Sequence, residues 1–322
     1  MKTTEKILEY LEQHKQASTK ELVDYLEISR IAVSKHLSNL LTEKKLIKIG
    51  KPPKVFYLIP EVKIEVAKAI LDEKTKKIIE ENYLIITPAG ERKRGVSGFV
   101  YWCGANNLPI EKTAGEYINT LGKYRSFRKS GLLDGMQKFK GTFENVNLDR
   151  IFYVDFYSIE RFGKTKLGQF LLYAKQSQNK KLMKELADDV RPIVEDLIRK
   201  YKIDAIGFIP PTVKREVQFM KELEKNLHIA AKKISIVKIK TEIIVPQKTL
   251  NKLGDRIENA QKTIVVDEQG KYENILLIDD AVGSGATLNE TAGQIKARKT
   301  AKKVIGLSIT GSFKGFDVIS EV

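Results

Sequence analysis

The residues with the clearest chemical potential stand together at Asp279-Asp280, followed at once by Ala281-Val282-Gly283-Ser284-Gly285-Ala286-Thr287. Two adjacent carboxylates are too close to divide general-acid and general-base work. They can instead accept hydrogen bonds from two neighbouring ribose hydroxyls, directly or through a metal ion. A loop of glycine, serine and alanine leaves its backbone N–H groups unobstructed. Where such a loop opens a helix, those groups, the Ser284 and Thr287 hydroxyls and the positive helix end can all face one anion. The chemistry that suits the string is the grip of a phosphorylated sugar.

Such a loop needs a strand behind it and a helix ahead. The aliphatic run Ile275-Leu276-Leu277-Ile278 reads as a buried strand with the acids at its carboxyl end, where open α/β sheets seat their ligands, and 288–297 reads as the helix. From Arg150 onward strands and helices alternate. Strands are expected over 151–157, 205–209, 234–239 and 303–310, and helices over 181–201 and 214–226. This is the pattern of a parallel sheet flanked by helices.

The loop resembles the phosphoribosyl diphosphate signature of type I phosphoribosyltransferases. By that resemblance Asp279 and Asp280 hold the ribose, Val282, Gly283, Ser284, Gly285, Ala286 and Thr287 cradle the 5-phosphate, and Mg2+ accompanies phosphoribosyl diphosphate. Two positions depart from the family: Ala281 stands where valine or isoleucine is usual, and Gly283 where threonine is frequent. Further upstream, Asp204-Ala205-Ile206-Gly207-Phe208-Ile209-Pro210-Pro211 with Lys214 and Arg215, then Gln247, Leu250, Arg256 and Asn259, resemble the ComF-like branch. The resemblance, which runs from about Phe156 onward, implies a diphosphate seat at Pro211, Lys214 and Arg215, and a mobile hood bearing Gln247, Arg256 and Asn259. ComF proteins usually begin with a cysteine-rich zinc ribbon; this sequence has a single cysteine, Cys103.

The N-terminal end differs. Ile7, Leu8 and Leu11 mark one amphipathic helix, and Ser18 with Glu21 forms a capping box ahead of a second. A third spans 30–41, with Ile31, Val33, Leu37, Leu40 and Leu41 mostly inward. Strands over 46–49 and 55–59 flank a turn with two prolines, Pro52 and Pro53. Three helices and a basic hairpin make a winged helix-turn-helix. Its recognition helix would present Arg30, Ser34, Lys35, His36 and Asn39 to a major groove, and the wing Lys48, Lys51 and Lys54 to the flanking backbone. A further helix over 62–82 would serve as a linker or dimerisation element.

The sequence thus divides into a DNA-binding domain over 1–60, a helical linker and unassigned region over 61–150, and a phosphoribosyltransferase-like α/β domain over 151–322. The 57 Lys and Arg outnumber 41 Asp and Glu, giving a net charge of +16 that favours a polyanionic partner. One cysteine excludes a disulfide framework or thiolate zinc cluster, and no run of about 18 apolar residues suits a membrane span. Charges throughout 1–16 argue against a signal peptide, so a cytoplasmic setting is expected. Two functions fit. One is a homodimeric transcription regulator that binds double-stranded DNA and senses phosphoribosyl diphosphate or a nucleotide, an architecture similar to that of purine repressors. The other is an active phosphoribosyltransferase transferring 5-phosphoribosyl to a nitrogenous base with release of diphosphate.

Overall fold

The fold is described from a computed structural model, over residues 2–59, 71–213, 215–239 and 241–312. The chain packs as two units. One comprises Met1–Ile70, Ile86–Lys93 and Val100–Ile110, and the other Leu71–Ile85, Arg94–Phe99 and Glu111–Val322.

The N-terminal portion contains α1 (Thr3–His14), β1 (Ala17–Ser18), α2 (Thr19–Leu26), α3 (Arg30–Thr42), β2 (Ile47–Lys51) and β3 (Lys54–Leu58). Ile7, Leu11, Ala17, Leu22, Val33, Leu37, Leu40 and Leu46 form its core. The three strands make one sheet in the order β1-β3-β2, and Lys51 faces Lys54 across the wing turn. The capping box is present: Glu21 N donates to Ser18 Oγ at 3.3 Å, and Ser18 N to a Glu21 carboxylate oxygen at 2.6 Å. Ser29 caps α3 in the same way through Ala32 N. Ile31 breaks the inward expectation, with 84% of its surface exposed. Val33, Leu37 and Leu40 set the buried stripe, and a residue two positions before Val33 falls about 200° around the helix from it.

The chain continues through α4 (Glu73–Asn82), β4 (Leu84–Ile86), β5 (Arg92–Arg94), α5 (Gly95–Ala105), α6 (Ile110–Arg125), β6 (Arg128–Lys129), β7 (Leu132–Asp134) and α7 (Met136–Thr142). Then follow β8 (Arg150–Phe156), α8 (Lys166–Ser177), α9 (Lys180–Tyr201), β9 (Ala205–Phe208), α10 (Phe219–Leu227), β10 (Lys232–Lys233) and β11 (Ile236–Lys238). Last come α11 (Leu253–Thr263), β12 (Ile264–Val266), β13 (Tyr272–Val282), α12 (Ala286–Ala297) and β14 (Ala301–Gly311).

Among the described residues seven strands form the main sheet, in the order β10-β9-β13-β14-β8-β7-β6. The first five run parallel, while β7 and β6 extend the sheet antiparallel beyond β8. Parallel strands buried on both faces read as continuous apolar runs, and Ile275 to Ile278 are fully buried at the centre. Leu276, Ile278, Ile305 and Leu307 pack with α9 residues Met183, Leu186, Val190 and Val194. The segment expected as a strand over 234–239 contributes only β11, which pairs with β12 in a separate two-stranded sheet. The helix expected over 214–226 begins later, at Phe219, because Gln218 takes the extended backbone of an N-cap. Residues 62–70 of the expected linker helix lie outside the described residues; its C-terminal part is α4.

Candidate functional site

The sheet brings the 279–287 string to the carboxyl end of β13. Strand pairing with β14 persists through Ala281 and Val282, so Asp279 and Asp280 sit near the end of the paired strand. The helix beyond begins at Ala286, two residues earlier than its apolar pattern suggests. Gly285 supplies the left-handed turn between them at φ 88°, a conformation open to glycine. A side chain there would also run into the Phe139 ring of α7. The N-cap Gly285 offers α12 no side-chain cap, and Ala286 N donates to Ser284 Oγ at 3.3 Å; the positive end of the helix stands at the cleft, which Gly285, Ala286 and Thr287 line.

The cleft has a volume of ≈ 590 Å³ and is lined by Asp279, Asp280 and every residue from Val282 to Thr287. Pro210, Pro211 and Arg215 line one wall, and Gln247 and Arg256 of the hood another. Asn259, placed in the hood by the sequence reading, is not part of the lining; its amide oxygen accepts from Gln247 Nε2 and Lys238 Nζ, both at 3.2 Å, and holds the hood together. Arg256 Nε donates to Leu250 O at 2.7 Å. Lys214 lies outside the described residues.

The two acids differ in electrostatics. Burial, reinforced by the charge of Asp280, pushes the Asp279 carboxyl up to about 8. Asp279 Oδ1 accepts the Asp280 amide at 2.8 Å. Asp280 is paired instead: Lys175 Nζ reaches its Oδ2 at 2.6 Å. Arg215 spends one guanidinium N–H on the Lys175 carbonyl, which ties its wall of the cleft to the end of α8. From the other side, Lys138 of α7 donates to Gly283 O at 2.6 Å and Ser312 O at 3.2 Å, and burial lowers its ammonium to about 8.

Lys175 and Lys138 escaped sequence reasoning. Helix α8 is not among the expected elements, although Thr165 caps it and Leu167, Phe170, Leu171 and Ala174 repeat at helical spacing. Nothing local, however, says that its last turn meets Asp280, 105 residues away.

At the N-terminal end, Arg30, Ser34, Lys35 and Asn39 project from α3 into solvent, His36 is half-buried, and Lys48 and Lys54 are exposed on the wing. The side chain of Lys51 lies outside the described residues. Among the described residues no three His, Cys, Asp or Glu side chains gather for a metal ion, and no helix is long and apolar enough to cross a membrane.

Residues 3–43 match the family model described as "Bacterial regulatory protein, arsR family". The N-terminal helices are thus an ArsR-type helix-turn-helix. No curated protein matches the chain. Among solved structures, a hypoxanthine phosphoribosyltransferase from Staphylococcus aureus is similar at 15% identity and a TM-score of 0.22; the match covers 38% of this chain and 62%, under two thirds, of that one.

Proposed function

We propose that this chain is a DNA-binding transcription regulator whose C-terminal domain binds a 5-phosphoribosyl compound, phosphoribosyl diphosphate or a related nucleotide, as its signal. The observation that carries the reading is the joint placement of Asp279, Asp280 and the whole 282–287 loop on one cleft at the carboxyl end of a central parallel strand. A ribose bound there meets paired acceptors, and a phosphate meets the positive end of α12. The ArsR-type helices and the exposed basic face of α3 support the DNA-binding half. The finer likeness to the ComF-like branch rests on the 204–215 and 247–259 stretches, whose Pro211, Arg215, Gln247 and Arg256 reach the cleft. Regulators of this architecture bind paired half-sites, so a homodimer belongs to the proposal; light scattering at micromolar concentration should give twice the chain mass.

Calorimetric titration with phosphoribosyl diphosphate and magnesium is the direct test. Wild type should bind, and Asp279→Asn/Asp280→Asn should weaken binding by about 100-fold, the cost of disturbing two hydrogen bonds to the ribose, of which the one to Asp280 is charge-assisted. DNA selected from a random pool with the wild-type protein should change affinity when the ligand is added. Diphosphate release on addition of a nitrogenous base would assign the cleft to transferase chemistry instead, and absence of binding to any phosphoribosyl compound would end the proposal.

A further inference from the structure

The acid pair does not present two open carboxylates to the cleft. Lys175 and Asp280 meet at 2.6 Å with only 21% and 17% of their side chains exposed, so the pair is partly withdrawn from solvent screening. The ammonium is delivered by a fixed support. It sits in the last turn of α8, where Arg215 holds the Lys175 carbonyl and Val217 N donates to Gln178 Oε1 at 2.8 Å. The other acid is also committed, since Asp279 accepts the Asp280 amide at 2.8 Å.

Magnesium asks for oxygen ligands in near-octahedral array, typically one or two carboxylates together with ligand phosphates. A carboxylate already neutralised by an ammonium offers it little, and the ammonium repels a divalent cation brought alongside. The residues of this cleft therefore do not fit the metal that the phosphoribosyltransferase resemblance implies.

We propose that Lys175 takes the place of that metal, and that the cleft binds 5-phosphoribosyl monophosphates, such as ribose 5-phosphate or a nucleoside monophosphate, without magnesium. Asp280, held by Lys175, accepts a ribose hydroxyl with its remaining lone pairs, and the α12 loop takes the phosphate. This inference rests on the cleft reading above and narrows it to a ligand class.

The test is calorimetry of ribose 5-phosphate against wild type, Lys175→Met and Lys175→Arg, each in EDTA and in magnesium, after a thermal melt confirms folding. Wild type should bind with affinities in the two buffers that agree within about twofold. Lys175→Met should lose about tenfold or more in EDTA and recover part of it with magnesium, whereas Lys175→Arg, which keeps a cation, should stay metal-independent. Wild-type binding that requires magnesium, or a Lys175→Met variant unchanged in EDTA, overturns the role of Lys175 and leaves the cleft reading standing. Wild type that binds ribose 5-phosphate in neither buffer but binds phosphoribosyl diphosphate with magnesium overturns the monophosphate assignment alone. Binding of neither compound overturns both.

Discussion

Asp279 shows how one buried carboxyl couples the site to pH. Its folded value, about 8, lies far above that of an unfolded aspartate, because burial and the Asp280 charge both disfavour ionisation. The native chain therefore holds a proton that the unfolded chain has released. The stability this gives is fully present below the unfolded value and is lost as pH rises towards the folded one. Asp279→Asn, which can still accept the Asp280 amide, should match wild type near pH 4 and become more stable by several kcal/mol near pH 8, since each pH unit between the unfolded and folded values contributes about 1.4 kcal/mol. Melting curves of both proteins across that range check it; a constant offset would sink it. The acids and the 282–287 loop were readable from sequence because their chemistry is contiguous: small residues, a strand and a helix start follow one another along the chain. Lys175 was not readable, because a lysine at a helix end acquires a role only when the fold brings Asp280 to it. Ile31 was misplaced because its type, rather than its angle from Val33, suggested burial.

Elements set the shape of the 282–287 loop. Helix α7 lies in a stretch with no recognisable motif, yet it supports the loop twice, through the Lys138 ammonium on Gly283 O and through the Phe139 ring under Gly285. Gly285→Ala should then combine a left-handed-backbone penalty of about 1–2 kcal/mol with displacement of α7. It should lower stability and abolish binding of phosphorylated sugars. Calorimetry on the folded variant decides this, and undiminished affinity would show that the loop tolerates a different course. The antiparallel addition of β7 and β6 escaped the sequence reading for a related reason. Strands of three and two residues carry no measurable alternation, and only the pairing of Leu133 and Asp134 with β8 defines them. Longer elements were plain: α9 and β14 fall within a few residues of the expected 181–201 and 303–310.

For the whole molecule, the net charge of +16 predicts avidity for any polyanion, so affinity for DNA alone says little. Salt dependence is more informative. Arg30, Lys35, Lys48 and Lys54 are exposed on α3 and the wing, and replacing all four with alanine should make the slope of log K against log salt shallower by up to about 3.6, near 0.9 for each phosphate no longer neutralised. Filter binding over a range of salt concentrations measures it directly. A slope left unchanged would place DNA on another surface.

The two ends of the main sheet carry a consequence for self-association. Its outermost strands are each only two residues long, Lys232–Lys233 at one side and Arg128–Lys129 at the other, and every residue in them is basic. Short, positively charged margins are poor templates for another chain's backbone, because pairing would set like charges side by side along few hydrogen bonds. The margins of this sheet therefore disfavour the zipping of one copy onto another, a useful property where copies crowd together on DNA.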